Sequence, residues 1–143
     1  MIAKIPTVDQ LDALETVVHD GVTFAIIVRR NYSADGISFF TPNNFSQQLG
    51  YMNRPAGYVI KPHIHNLVRR EVFLTQEVLL IKSGKIKVNF YSEQKSYLFS
   101  RLLLQGDVIL LASGGHGFEI LENAEIIEVK QGPYVGEEDK SHF

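Results

Sequence analysis

From Gly21 to Lys130 the chain is a succession of short apolar runs, each cut off by turn-forming residues. Val22–Val28 ends at Arg29-Arg30, and Ile37–Phe40 follows a Ser-Ala-Asp-Gly turn and precedes Thr41-Pro-Asn-Asn44. Further runs cover Phe45–Tyr51, Glu77–Lys82, Lys85–Tyr91, Ser96–Leu104, Val108–Ala112, His116–Leu121 and Ala124–Lys130. Runs this short, rich in β-branched residues and spaced by Gly, Pro, Asn and Ser, close into a β-barrel or sandwich. Ser83-Gly84 reads as a hairpin turn between Glu77–Lys82 and Lys85–Tyr91, where Ile86, Val88 and Phe90 alternate with polar partners. Gln47, Leu49 and Tyr51 share one face of the Phe45–Tyr51 run.

Before Gly21 the pattern is different. Leu11, Leu14 and Val18 recur at helical spacing, with Thr7 or Asp9 as N-cap and Gly21 as stop. This predicts a short N-terminal helix over residues 7–20, with His19 in its last turn as a structural residue. The expected organisation is one domain over residues 1–143: helix at 7–20, barrel at 22–132, and a flexible tail at 133–143 that holds His142.

Composition narrows the function classes. There is no cysteine, so disulfides and thiolate metal sites are excluded. A net charge of −2 gives no electrostatic case for nucleic acid. Neither a membrane span nor the apolar core of a secretory signal is evident, which predicts a cytoplasmic protein with no membrane partner. The basic pairs Arg29-Arg30 and Arg69-Arg70 read as solvated strand ends or loops; for Arg69 the sharper reading is contact with an anionic ligand at a pocket mouth.

The segment Gly57-Tyr-Val-Ile-Lys-Pro-His-Ile-His65 carries the chemistry. On an extended strand His63 and His65 face one side, together with Lys61 and Val59. Ile60 and Ile64 face the other. Lys61 inside a barrel calls for an anion, such as a substrate carboxylate or phosphate, unless it sits at the rim and reaches water. Gly114-Gly-His116 offers a third imidazole; Phe118 and Ile120 share its face, and Glu119 points away.

These residues resemble the cupin superfamily. Gly57, His63-Ile-His65, Glu77 and Gly84 match the order of its first motif, with a longer spacer (Asn66 to Gln76) before the glutamate. Gly106, Gly114 and His116 resemble its second motif, with Ala112 at the proline place. The resemblance implies an all-β cupin fold, the double-stranded β-helix or jelly-roll barrel. It also implies a divalent metal ion, Zn, Fe, Mn or Ni, held by His63, His65, Glu77 and His116; imidazole and carboxylate donors suit these ions. Glu71 is the rival carboxylate, nearer the histidines but lacking the downstream glycine.

The run Ile126–Lys140 is similar to the end of small cupin-fold metalloproteins of O-antigen and other surface-polysaccharide gene clusters. It also resembles the tail of the cupin domain in bifunctional mannose-6-phosphate isomerases, with His142 where those carry arginine. The implied function is binding or isomerase/epimerase-like conversion of a sugar phosphate or nucleotide sugar. Lys61, Gln47 and Arg69 would hold the anionic part of that small-molecule, sugar-derived ligand. An Fe(II)-dependent dioxygenase and a non-catalytic ligand-binding cupin are the alternatives. By analogy with the family the expected assembly is a homodimer.

Overall fold

The structure is a computed structural model, and residues 11–143 are described. The described part is nearly all β, with eight strands and a short 3-10 helix at Gly136–Asp139. Among the described residues no helix is long and apolar enough to cross a membrane.

The first correction concerns the N-terminal helix. Residues 7–10 of that expectation lie outside the described residues, and Leu14–His19 form strand β1. The cause is the turn that follows. Asp20 and Gly21 both have positive φ, 49° and 73°, the backbone signature of a two-residue hairpin turn. Once this turn reverses the chain, β1 pairs with β2 (Val22–Val28) from Leu14↔Val28 to His19↔Val22 and buries Val17. Ladder bonds and core burial outweigh a helical spacing of three apolar residues. His19 ends β1 and meets the ring of Phe24 edge-on at 5.8 Å.

A small separate hairpin, β3 (Gly36–Phe39) with β4 (Gly50–Asn53), comes next. The strand expected over Phe45–Tyr51 is thus confined to its last residues. Gln48 donates to the carbonyls of Pro42 and Phe45 at 3.0 and 2.9 Å, and its Oε1 accepts from Thr41 at 2.7 Å. Such side-chain bonds hold the preceding residues as a turn rather than a ladder.

The main sheet runs in the order β1-β2-β7-β5-β6, with β8 paired to β5. Strand β5 (Glu77–Tyr91) and strand β8 (Gly115–Lys130) are long, at 15 and 16 residues. The expected hairpin at Ser83-Gly84 is therefore a bend within one continuous strand. The register of β5 against β8 slips between Ile81 and Ile86, and Gly84 has φ +85°. A Cβ at Gly84 would lie 2.1 Å from the Asn123 carbonyl oxygen, so β8 crosses too tightly there for any side chain. Two strands bending together are a corner of a rolled sheet.

Strand β6 (Tyr97–Leu104) pairs with the second half of β5, and β7 (Val108–Leu111) with the first. Leu111 lies opposite Glu77, and Gly115 lies opposite Tyr91, at the far end of the same strand. Straight, β5 would span roughly 45–50 Å, whereas the link 112–114 reaches only about 14 Å. The sheet must curl until the ends of β5 approach one another, and it forms a half-barrel. Its concave face is lined by alternate residues: Leu79, Ile81, Ile86, Val88 and Phe90 of β5 are all buried. Phe90 packs against Phe24 and Phe99 at ring distances of 6.5 and 5.5 Å. Among the described residues β8 pairs on one edge alone.

Two further expectations change. Arg29 is no solvated strand end: it is 5% exposed and bonded to Asp107. The C-terminal tail folds back on the body, with Phe143 edge-on to Tyr91 at 5.1 Å and Asp139 accepting from the Thr75 hydroxyl.

Candidate functional site

Glu77 opens β5 with the same parity as the buried Leu79 and Ile81, so its carboxylate faces the concavity. His116 lies opposite Phe90 in the β5–β8 ladder. Directly opposed residues of an antiparallel pair share a face, and Phe90 is fully buried, so the imidazole also faces inward. The curl brings these two residues, at opposite ends of the ribbon, together: His116 Nε2 lies 3.2 Å from Glu77 Oε2. Their side chains are 28% and 14% exposed, so both are partly withdrawn from water.

The hydrogen bond from His116 is the main cause that holds the Glu77 carboxyl below its ordinary range. Burial opposes it, and the positive charges of His116, Lys130 and Lys140 add to it. Because the folded-state value is lowered, the contact adds stability above the ordinary carboxylate range. That stability is lost as pH falls through the lowered native value. Glu77→Gln is therefore expected to destabilise the protein at neutral pH and to leave it unchanged in strong acid. Thermal unfolding of both proteins across acid pH checks this, and parallel curves would discard it.

Parity along β8 supplies residues that motif reasoning passed over. Glu128 and Lys130 lie opposite Leu79 and Glu77, on the His116 face, and Lys130 Nζ is 3.6 Å from Glu128 Oε1. Counting every second residue from His116 would have found both. Glu119, on the other face, is bonded to Lys87 Nζ at 2.6 Å and to Asn89 Nδ2 at 2.8 Å. It points out, as its parity predicts.

The other expected ligands lie on residues 54–76, an extended arm without helix or strand, exposed over most of its length. The His63 and His65 rings are 5.1 Å apart, as expected for neighbours at i and i+2. His63 Nδ1 lies 2.9 Å from the Lys61 carbonyl oxygen, which can only accept. Nδ1 is therefore the donor in this contact, and in the neutral ring the lone pair sits on Nε2. The strand expected here is not formed. The structure joins Glu77 with His116, and His63 with His65, but not one pair with the other. Among the described residues no three His, Asp or Glu side chains gather within reach of one ion.

Lys61 and Arg69 are also exposed on the arm, with Arg69 Nη2 3.5 Å from Glu71 Oε1. Of the two rival carboxylates, Glu77 is the one that touches a candidate histidine; Glu71 is solvated. Gln47 belongs to an amide network at the base of the arm. Its N–H donates to Gln76 Oε1 at 3.1 Å, and Ser46 Oγ donates to the same atom at 3.2 Å. Gln131 accepts from the Gln76 N–H and donates to Ser46 Oγ. The Gln47 Oε1 atom is buried with no partner among the described residues.

Comparison with protein-family models, with curated proteins and with solved structures returned no match.

Proposed function

We propose that this chain is a metal-binding cupin that acts on a sugar phosphate or nucleotide sugar, as an isomerase or epimerase. The observation that carries the reading is the Glu77–His116 contact: two donors of the types that bind divalent ions, drawn from opposite ends of a long ribbon and aimed into one concavity. Carboxylate and imidazole within hydrogen-bond distance are suited to share an ion. His63 and His65, with the Nε2 lone pair on His63, would complete the set when the arm lies on the barrel. Zn, Fe, Mn and Ni all accept these donors. When bound, such an ion supplies a Lewis acid for a sugar carbonyl or hydroxyl. The protein's own part is to hold the anion, through Lys61, Arg69 and Gln47 as first expected and through Lys130 beside Glu77.

The test is elemental analysis of purified protein after loading with each ion in turn. Wild type is expected to retain one ion per chain, and Glu77→Ala, His116→Ala, His63→Ala and His65→Ala to lose it, with affinity down at least tenfold to a hundredfold. Glu71→Ala is expected to bind as wild type does. A wild type that holds no metal under any loading overturns the reading. Loaded protein that converts none of a panel of sugar phosphates and nucleotide sugars overturns the enzymatic part alone.

A further inference from the structure

A single copy leaves two complementary features unsatisfied. The first is the arm: nine large apolar side chains between Tyr58 and Leu74 are exposed, Ile64 at 91% and Phe73 at 90%. The second is the edge of β8 that no described strand pairs with, where Phe118 and Ile120 lie on the barrel's inner face yet remain exposed, Ile120 at 57%. A long bare strand edge beside apolar side chains is a template for another strand. Long stretches without secondary structure are uncommon in compact domains unless they serve a function.

The arm is tied to its own body at both ends: Glu71 to Leu74 border a cavity with Gly21, Val22, Thr23, Ala112 and Ser113, while Ile64 and Leu67 in its middle are almost fully exposed. Tyr51 and Met52 are paired in β4 just before it, and Gln76 is held by Gln131, Ser46 and Gln47 just after it. Among the described residues the arm does not pair with the open edge of β8, and a two-fold pair of copies satisfies both features at once. If each of the nine side chains surrendered roughly 80 Å², two arms would contribute about 1,400 Å² of apolar surface. With the surface they cover, that passes the roughly 1,600 Å² of a stable specific interface. Pro62 fits the same picture, because a residue without an N–H is tolerated on a strand with one free edge.

We propose that the arms are exchanged: residues 54–76 of one copy lie along the open edge of β8 of a second copy, so that each metal centre combines His63 and His65 of one chain with Glu77 and His116 of the other. The composite centre rests on the metal reading above; the exchange itself does not.

Two measurements separate the two claims. Sedimentation equilibrium of wild type is expected to give a dimer, and the double variant Ile64→Asp/Phe73→Asp a folded monomer with wild-type circular dichroism. A monomeric wild type, or a dimer indifferent to the charged arm, overturns the exchange whatever the metal content. The second measurement is complementation. A His63→Ala/His65→Ala chain and a Glu77→Ala/His116→Ala chain, differently tagged, are co-expressed and the heterodimer is purified. Each parent is expected to bind no zinc, and the heterodimer one ion per two chains, since one of its two centres regains all four donors. A metal-free heterodimer beside a metal-binding wild type places all four ligands on one chain and overturns the composite centre. Glu77→Gln/His116→Gln replaces the second chain if the alanine pair fails to fold. A wild type that binds no metal but dimerises through its arm leaves the exchange standing and removes the metal reading.

Discussion

Replacing Asp107 by alanine is expected to cost roughly 3–5 kcal/mol of stability, read as a lower midpoint of urea unfolding with an unchanged slope. Asp107 sits in the turn between β6 and β7 and is 4% exposed, against 5% for Arg29. One carboxylate oxygen accepts from Arg29 Nη1 at 3.0 Å and from the Leu104 N–H at 2.9 Å; the other accepts from the Arg30 N–H at 3.0 Å. Arg29 Nη1 also reaches the Leu102 carbonyl, while its Nε is buried with no partner among the described residues. The carboxylate thus closes a turn and balances a guanidinium that is almost wholly withdrawn from water. Alanine leaves that charge buried and uncompensated, which is the costly way to break such a pair. Removing both charges, as Arg29→Met/Asp107→Leu, is expected to cost less than Asp107→Ala alone. A single-variant loss below about 1 kcal/mol would mean that water reaches Arg29 and that the pair behaves as a surface contact.

The second large effect is expected at Gly84. Its φ of +85° carries a cost of about 1–2 kcal/mol for any L side chain. The added Cβ would also meet the Asn123 carbonyl oxygen at 2.1 Å and Ala124 Cα at 2.7 Å. Both are backbone atoms that no rotamer change can move, and overpacking of this kind adds roughly 1–3 kcal/mol. Gly84→Ala should therefore lose about 2–5 kcal/mol in all. Gly21→Ala is the control: φ is +73° but nothing lies within 4 Å of the new Cβ, so only the conformational cost applies. Equal losses at the two positions would show that β8 yields at the crossing. Because the bend at Gly84 brings the ends of β5 together, Gly84→Ala should also part Glu77 from His116.

Much of the β architecture could be read from local signals. Alternation in Ile86, Val88 and Phe90 and the turn residues after each run located most strands. Parity correctly sent Glu119 outward to Lys87 and set His116, Phe118 and Ile120 on one face. Among the local readings that failed, three show the reason. Leu11, Leu14 and Val18 scan as a helix, but the Asp20-Gly21 turn pairs the segment as β1. Ser83-Gly84 scans as a hairpin, but β8 crosses at that glycine and bends one strand instead. Arg29 scans as solvated, yet its counter-charge lies 78 residues away at Asp107.

Residue types and spacing alone decided that this is a cysteine-free, strand-rich chain carrying His63-Ile-His65, a carboxylate six residues before a glycine, and a third histidine. Those features follow from side-chain alternation and turn chemistry, which act over a few residues. Which donors meet was decided by tertiary structure, because contact between Glu77 and His116 depends on the accumulated curl of a 15-residue strand. The choice of Glu77 as the carboxylate that touches a histidine, over a solvated Glu71, rests on the same curl. So does the edge of β8 that no described strand pairs with: no local pattern shows which strand of a rolled sheet is left without a neighbour, since that follows from where the ends of the roll come to rest.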